Sequence, residues 1–414
     1  MNTETRRGFF NWTRRAFGAA GLLGSTKVFA GTDAQHSVHA EGEDYYDKLG
    51  VTKIINAAGT YTMFTGSLMP PAVQAAVARA AKHPVRLEEI QKKAGEYIAK
   101  KLKCEGALVS AGAASALTLG TAACMTVGNR KSPDWLPTDV SGLKNEVIVQ
   151  KTHRYGYDHA LKNCGVRFVE VETLDDYERA FTERTVMCHF FNAAEQTPIS
   201  REDWIRVAHK HGVPCFNDAA ADVPPISNLW AYTEMGFDLV TFSGGKGMRG
   251  PQNAGLLLGR KDLIEAAAWN NNPFDETVGR GMKVSKEQLV GMVAAVDWFL
   301  SQTDEGMDAE FRRRADRIAT HLKRIPTVTH EVHVPHLLIR YDQSRVKTSP
   351  KEVAETLRTG SPAIELNPGT GHKSGAAGLP SDENTIVVGV WMLEPGEDLI
   401  VGRRLREALS KAVA

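Results

Sequence analysis

The stretch Asp238-Leu239-Val240-Thr241-Phe242-Ser243-Gly244-Gly245-Lys246-Gly247-Met248-Arg249-Gly250-Pro251-Gln252 carries an apolar strand into a lysine bracketed by glycines. Those glycines let the backbone turn sharply and let a flat ligand come close, and Lys246 has the reach to condense with an aldehyde. Ser243, three positions earlier, is placed to donate its hydroxyl to a phosphate. Read alone, the same string also describes a surface turn with a solvated lysine.

Working back along the chain, Pro214-Cys215-Phe216-Asn217-Asp218-Ala219-Ala220 sets an acidic residue at the end of the preceding strand. A carboxylate there suits pyridoxal 5′-phosphate (PLP). Facing the pyridine nitrogen, it keeps the ring cationic, and a cationic ring withdraws the electrons left when a bond to the substrate Cα breaks. The plainer reading of Asp218 is a strand-end cap. Further upstream, Val109-Ser110-Ala111-Gly112-Ala113-Ala114-Ser115-Ala116-Leu117 leads a strand through small residues into a helix. Small side chains leave the first-turn amides open, and with the helix dipole those amides make an anion site around Gly112, Ala113 and Ala114. Any tight strand-to-helix turn looks similar; the chain order, phosphate turn, then acid, then lysine, gives this one weight. Gln150-Lys151-Thr152-His153-Arg154-Tyr155-Gly156-Tyr157-Asp158-His159 follows another strand end, where sheets of this class bind ligands. His153 is the candidate there for stacking on a cofactor ring or handling protons, against the plainer reading of a structural histidine.

Around these motifs, apolar runs alternate with amphipathic helical stretches, which predicts a mostly parallel sheet covered on both faces. Strands are predicted at Gly106–Ser110, Glu146–Gln150, Arg167–Val171, Val186–Phe191, Pro214–Asn217, Asp238–Ser243 and Ala254–Leu258, with helices at Ala113–Val127, Leu174–Phe181 and Arg201–His211. From about Ser285 the texture changes. Helical patterns over Lys286–Leu300 and Ala309–Lys323 lead to strands near Glu331–Val334, Leu337–Tyr341, Ala363–Leu366 and Ile386–Met392, then a final helix, Glu397–Ala412. The pattern divides the chain into an N-terminal signal (1–30), an arm (31–58), a large α/β cofactor-binding domain (59–285), and a connecting helix with a smaller α+β domain (286–414).

With 414 residues, 42% of them hydrophobic and 24% charged, the chain has the composition of an ordinary globular protein of two or three structural units. Fifty basic against 49 acidic residues leave a formal charge of +1, no field to steer it to nucleic acid or an anionic membrane. Cys104, Cys124, Cys164, Cys188 and Cys215 form no CxxC pair, and they read as buried small hydrophobes rather than zinc or redox ligands. At the N-terminus, Arg6-Arg7 and Arg14-Arg15 are each followed at short range by aromatics, and a mild apolar stretch, Ala16 to Gly24, is too short to span a bilayer. Val28-Phe29-Ala30 then offers the small residues a signal peptidase reads. The expectation is twin-arginine export to the periplasm or beyond, with a mature protein from about Gly31 and no stable membrane anchor. The alternative is a basic tail on a cytoplasmic protein.

The segments Ile54-Ile55-Asn56-Ala57-Ala58-Gly59-Thr60, Ser110 to Ala114, His153 to His159, Asp218-Ala219-Ala220 and Phe242 to Gln252 together resemble the selenocysteine-synthase-like group of fold-type I PLP enzymes, from about Tyr46 to the C-terminus. Within that group the likeness is to the branch of D-glucosaminate-6-phosphate ammonia-lyase rather than to the seryl-tRNA selenium transferases. The resemblance implies the aspartate-aminotransferase-like fold and PLP as cofactor. It implies Lys246 as Schiff-base lysine and catalytic base, Asp218 at the pyridine nitrogen, His153 near the ring, and Gly112, Ala113, Ala114 and Ser243 about the phosphate. It further implies a homodimer or larger assembly, with Arg249 and Gln252 reaching cofactor or substrate and Asn56, Thr60 and Tyr61 on a loop over the substrate. Arg340, on an apolar strand of the smaller domain, is a candidate for the substrate carboxylate.

The leading expectation is an α,β-elimination on a small amino acid, giving ammonia and a 2-oxo acid. Racemisation or aldol cleavage would use the same lysine, and a non-catalytic exported binding protein would keep the cofactor without the reaction. A tRNA substrate fits poorly with near-zero net charge and with export, so no nucleic-acid partner is expected. A nicotinamide dehydrogenase is disfavoured because no GxGxxG follows the first strand of the sheet.

Overall fold

The computed structural model describes residues 43–372, 379–380 and 382–413, and divides into two units, residues 1–52 and Lys53–Ala414. The arginine pairs, the apolar stretch and the expected cleavage point near Gly31 lie outside the described residues. In the first unit, Asp44 caps α1 (Tyr45–Leu49) by accepting from the Tyr46 amide at 2.8 Å, and Gly50 ends the helix at φ 67°.

The second unit runs β1 (Ile54–Ala57), α2 (Pro71–Ala81), α3 (Leu87–Leu102), β2 (Gly106–Ser110), α4 (Ala113–Thr126), β3 (Glu146–Gln150), α5 (Asp158–Lys162), β4 (Arg167–Val171), α6 (Leu174–Arg179) and β5 (Thr185–Phe191). It continues through α7 (Arg201–Lys210), β6 (Cys215–Asp218), α8 (Asn228–Met235), β7 (Leu239–Ser243), β8 (Gly255–Gly259), α9 (Lys261–Trp269) and α10 (Lys286–Leu300). The last third holds α11 (Asp304–Leu322), β9 (Thr329–His333), β10 (His336–Arg340), α12 (Pro350–Arg358), β11 (Ala363–Leu366), β12 (Thr385–Gly389) and α13 (Glu397–Lys411).

Seven strands form the main sheet in the order β2-β8-β7-β6-β5-β3-β4. Strands β7, β6, β5, β3 and β4 are parallel neighbours, while β8 is antiparallel to both β7 and β2. The exception has a local cause. Every parallel step in the sheet needs a crossover, but only the lysine turn separates β7 from β8, too short for one, so the chain reverses directly. The strands are buried on both faces, as their near-continuous apolar runs require. One face meets a core that includes Phe190, Trp204, Phe242 and Phe299, with Trp204 stacked on Tyr177 at 4.0 Å; the other meets α4 and α9. Because α4 is Ala-rich and lies in the core, it is buried on almost every side instead of showing a polar stripe.

In the C-terminal half, β10 pairs antiparallel with β9 and β12, and α11 and α13 pack together over the resulting core. Strand β1 belongs here as well. It pairs in parallel with β11, and Ile55 and Ala57 join the same cluster as Ile318 and Leu337. The chain thus passes through the C-terminal half before building the main sheet, and the loop after β1 is held by both. Helix α11 starts earlier than its apolar periodicity predicts because the Thr303 hydroxyl caps it, accepting from the Gly306 amide at 3.1 Å.

Candidate active site

Strands β2, β3, β5, β6 and β7 end along one edge of the sheet, and a cavity of about 510 Å³ opens there, within the range of small-ligand sites. The turn between β7 and β8 brings Lys246 into it. Bonds from the Gly244 amide to the Ala254 carbonyl and from the Gly250 amide to the Gly244 carbonyl, both 2.8 Å, tie that turn to itself. At Gly247 a Cβ would lie 2.0 Å from the Val223 carbonyl oxygen, so only glycine lets the lysine turn sit this close to its neighbour. Burial pushes the Lys246 amine below its ordinary pKa, and the carboxylates of Asp218 and Asp222 oppose that shift.

Asp218, the last residue of β6, is almost wholly buried, with both oxygens engaged. Oδ1 accepts from the Ala220 amide at 3.0 Å, and Oδ2 accepts from the Tyr155 hydroxyl. Burial raises its pKa, and the Tyr155 bond acts the other way. Tyr155 lies stacked on Phe191 with ring centroids 4.0 Å apart, and both rings line the cavity.

At the opposite side, Gly112 turns the chain from β2 into α4 at φ 86°, ψ 168°, a conformation suited to glycine. No side chain caps α4, so its first amides are unclaimed by the usual partner. Ser115, in the first turn, has a buried hydroxyl oxygen with no hydrogen-bond partner among the described residues. Ser243 ends β7 on the same cavity wall.

The side chains fit PLP. A buried carboxylate faces one wall, a lysine with a depressed pKa enters from another, aromatic rings flank the space, and an uncapped helix start with an orphaned hydroxyl offers a phosphate its donors. No metal-binding cluster of His, Cys, Asp or Glu occurs among the described residues.

Of the residues singled out in the sequence, Lys246, Asp218, Gly112, Ala113, Ala114, Ser243 and Gln252 line this cavity together. The others are placed elsewhere. His153 is fully buried beside Phe190 at 4.6 Å, and its Nδ1 accepts from the Phe191 amide at 3.2 Å; it is not part of the lining, whereas the aromatics Tyr155, Tyr157 and Phe191 are. The short turn Lys151–His153 after β3 tucks the imidazole into the core and leaves Tyr155 to reach the cavity. Arg340 is held by the Thr385 hydroxyl at 3.0 Å, the Pro380 carbonyl and Glu331, so it lies on the small sheet and not in the cavity. Asn56 staples its own loop, its Nδ2 donating to the Gly59 and Gly66 carbonyls and its Oδ1 accepting from the Ala58 and Gly59 amides. Tyr61 accepts from Asn367 at 3.1 Å, and neither it nor Thr60 lines the cavity; the next residue, Thr62, does, and its carbonyl accepts from Gln252 at 3.2 Å.

Arg249 donates to the Leu68 carbonyl at 2.8 Å and pairs with Glu394 at 2.6 Å, outside the lining. Sequence reading passed over Tyr155, Ser115, Phe191, Asn253 and Asp222. Tyr155, Ser115, Asn253 and Asp222 stand in or beside quoted motifs and Phe191 ends a predicted strand, but only the packing distinguishes them from their neighbours.

The fold and this cavity define a fold-type I, aspartate-aminotransferase-like PLP enzyme. The chain belongs to the family described as SelA, L-seryl-tRNA selenium transferase, whose model matches residues 54–337. It is similar to the 5'-C-glycyluridine monooxygenase-decarboxylase of a Streptomyces species, 28% identical over 342 residues, covering 78% of this chain and 83% of that one. It is also similar to the D-glucosaminate-6-phosphate ammonia lyase of Salmonella typhimurium, 30% identical over 264 residues, covering 61% of this chain and 69% of that one. A solved structure of D-glucosaminate-6-phosphate ammonia-lyase superposes with a TM-score of 0.76 at 25% identity, covering 90% of this chain and all of that one.

Proposed function

We propose that this chain is a PLP-dependent carbon–nitrogen lyase that removes the Cα proton and a β-substituent from a small amino acid and releases ammonia and a 2-oxo acid. The observation that carries the reading is the convergence of Lys246, Asp218 and the uncapped start of α4 on one cavity. Asp218 would hold the pyridine nitrogen, the α4 amides with Ser115 and Ser243 the phosphate, Tyr155 and Phe191 the ring, and Lys246 the aldehyde carbon. PLP, when bound, supplies the electron sink that makes a Cα–H bond acidic. The chain's own work is proton handling and exclusion of water. Burial depresses the Lys246 pKa and so raises the neutral fraction of its amine near neutrality, the form that takes the Cα proton. The β-bond then breaks with its electron pair on the leaving group. A departing hydroxide takes up the proton that Lys246 removed and leaves as water; the enamine left behind gains a proton at Cβ, and water then adds at Cα and displaces ammonia. Phe191 and Leu117 give the cavity apolar walls, and the loop carrying Thr62 closes one side through Gln252.

The names of the two relatives describe different reactions, so family membership leaves the reaction open; the match in fold over the whole ammonia-lyase chain favours the lyase. Near-zero net charge gives no support to a tRNA substrate. The protein is proposed to work as a homodimer or larger assembly, supported by the exposed Met63 and Leu68 and by Tyr157, which lines the cavity yet is 59% exposed. Export by the twin-arginine route is proposed from the arginine pairs of residues 6–7 and 14–15, the short apolar stretch that follows them and Val28-Phe29-Ala30.

The deciding experiment is an absorbance spectrum of the protein supplied with PLP, beside Lys246→Ala, followed by a panel of L- and D-amino acids with assays for ammonia, 2-oxo acid and enantiomer. A visible band lost in the variant, with ammonia and oxo acid formed by wild type, supports the lyase. Inversion alone makes it a racemase, and no band in wild type overturns the cofactor. Light scattering tests the assembly, and cell fractionation of wild type against a variant with Arg6, Arg7, Arg14 and Arg15 all changed to Lys tests export.

A further inference from the structure

Two carboxylates share the cavity with Lys246, and they are not equivalent. Asp218 has both oxygens committed, one to the Ala220 amide and one to the Tyr155 hydroxyl. Asp222, on the turn that follows β6, lines the same cavity, but its side-chain bonds all fall on Oδ2, which accepts from the Tyr232 hydroxyl at 3.1 Å and from the Asn192 amide. Among the described residues no hydrogen bond reaches Oδ1. Asn192 in turn donates to the Tyr232 hydroxyl oxygen at 2.7 Å and accepts from Nε of Arg201 at 2.6 Å, whose guanidinium stands over the Tyr232 ring at 5.9 Å.

We propose that Asp222 is a positioning residue for Lys246: the Arg201–Asn192–Tyr232 frame fixes its carboxylate with one free oxygen, and that charge favours the protonated state of the lysine nitrogen, free or joined to the cofactor. The physical case rests on burial and charge balance. A mostly buried carboxylate is costly without a cation, and the cation sharing its cavity is Lys246. The frame supplies donors to one oxygen and leaves the other for that cation. Burial raises the Asp222 pKa, and Asn192, Tyr232, Arg201 and Lys246 oppose that rise. The ionisable groups around the lysine are therefore Asp222, Asp218 with its partner Tyr155, Tyr232 on α8 and Arg201 at the start of α7. When Asp218 serves the pyridine nitrogen, Asp222 is the carboxylate left to set the lysine.

This inference refines the PLP reading, and the test separates the two. In wild type, Asp222→Asn and Tyr232→Phe loaded with PLP, the pH midpoint of the visible band reports protonation of the nitrogen shared by Lys246 and the cofactor. In the cofactor-free proteins, the pH dependence of Lys246 acylation, read by peptide mass spectrometry, reports the free amine. Asp222→Asn is expected to lower both midpoints by about one pH unit. Tyr232→Phe, which withdraws a donor that favours the ionised Asp222 carboxylate, is expected to lower them by less than Asp222→Asn does. Unchanged midpoints in Asp222→Asn, or an upward shift in Tyr232→Phe, overturn the proposal. Absence of the visible band in wild type overturns the PLP reading instead, and the acylation profile still decides the role of Asp222.

Discussion

The Tyr155 hydroxyl donates to Oδ2 of Asp218 while the Tyr155 ring lies on Phe191, so one side chain supplies both a face for a ligand and a brace for the carboxylate behind it. The hydrogen bond favours the ionised carboxylate against the burial that raises its pKa. Tyr155→Phe keeps the ring and removes the brace. It is expected to weaken PLP binding about tenfold, the worth of one hydrogen bond to a charged group. Since only ionised Asp218 serves a protonated pyridine nitrogen, the acid limb of kcat/KM moves to higher pH in the variant. A pH–rate profile beside a PLP titration checks both, and an acid limb that stays in place removes Tyr155 from this role.

Lys246→Ala should abolish the visible band and lower turnover by about 10²- to 10⁴-fold, the range for loss of a positioned acid–base group. The same change removes the cation that shares the cavity with the buried carboxylates Asp218 and Asp222, so the cofactor-free variant should unfold at a lower temperature than wild type. Calorimetry of both apoproteins tests this, and an unchanged Tm would mean that these carboxylates do not need the amine.

Acid stability should depend on histidines outside the cavity lining, the buried His153 and His189 and the half-buried His336, the last pushed down to about 4 like His153. Burial pushes His153 down to about 4 and His189 down to about 3. Their folded values lie below the ordinary 6.5, so their contribution is full above pH 6.5 and falls as the pH drops toward the folded values, the unfolded chain binding the extra protons. Each costs on the order of 1.4 kcal/mol per pH unit inside its window. Denaturant unfolding between pH 7 and pH 4 should show this slope, and His153→Phe should reduce it while changing kcat less than threefold, roughly the spread of a single weak contact. A large loss of kcat with the slope intact would return His153 to the catalytic site.

Arg249 joins three parts of the chain: it donates to the Leu68 carbonyl, pairs with Glu394, and stands 5.8 Å over the Trp298 ring. Its side chain is only 18% exposed, which lifts the pair above the usual surface ion pair. Arg249→Ala is expected to lower kcat/KM about tenfold by loosening the lysine turn, and a double-mutant cycle with Glu394→Ala should return a coupling of about 1 kcal/mol. Strict additivity would mean that the pair contributes nothing.

Much of this protein was legible in its sequence because the relevant physics is local. A glycine-bracketed lysine after an apolar run, an acid at a strand end and a small-residue turn into a helix each declare themselves within ten residues or so, and the main sheet's strands follow from apolar runs between helical periods. What tertiary structure decided depends on which side of the chain faces the cavity and on contacts between distant segments. His153 and Tyr155 stand two positions apart, and a short turn sends one into the core and the other to Asp218. Arg340 looks like a carboxylate binder until Thr385 and Glu331, brought to its flank by the small sheet, claim it. β1 gives no sign in sequence of its partner β11, because a parallel pairing between strands so far apart is fixed by the shared core and not by any local signal. The sequence thus determined the chemistry available to the chain, and only the fold, by bringing Lys246, Asp218, Tyr155 and Asp222 to the end of one sheet, determined which side chains share a cavity and which oxygen is left free.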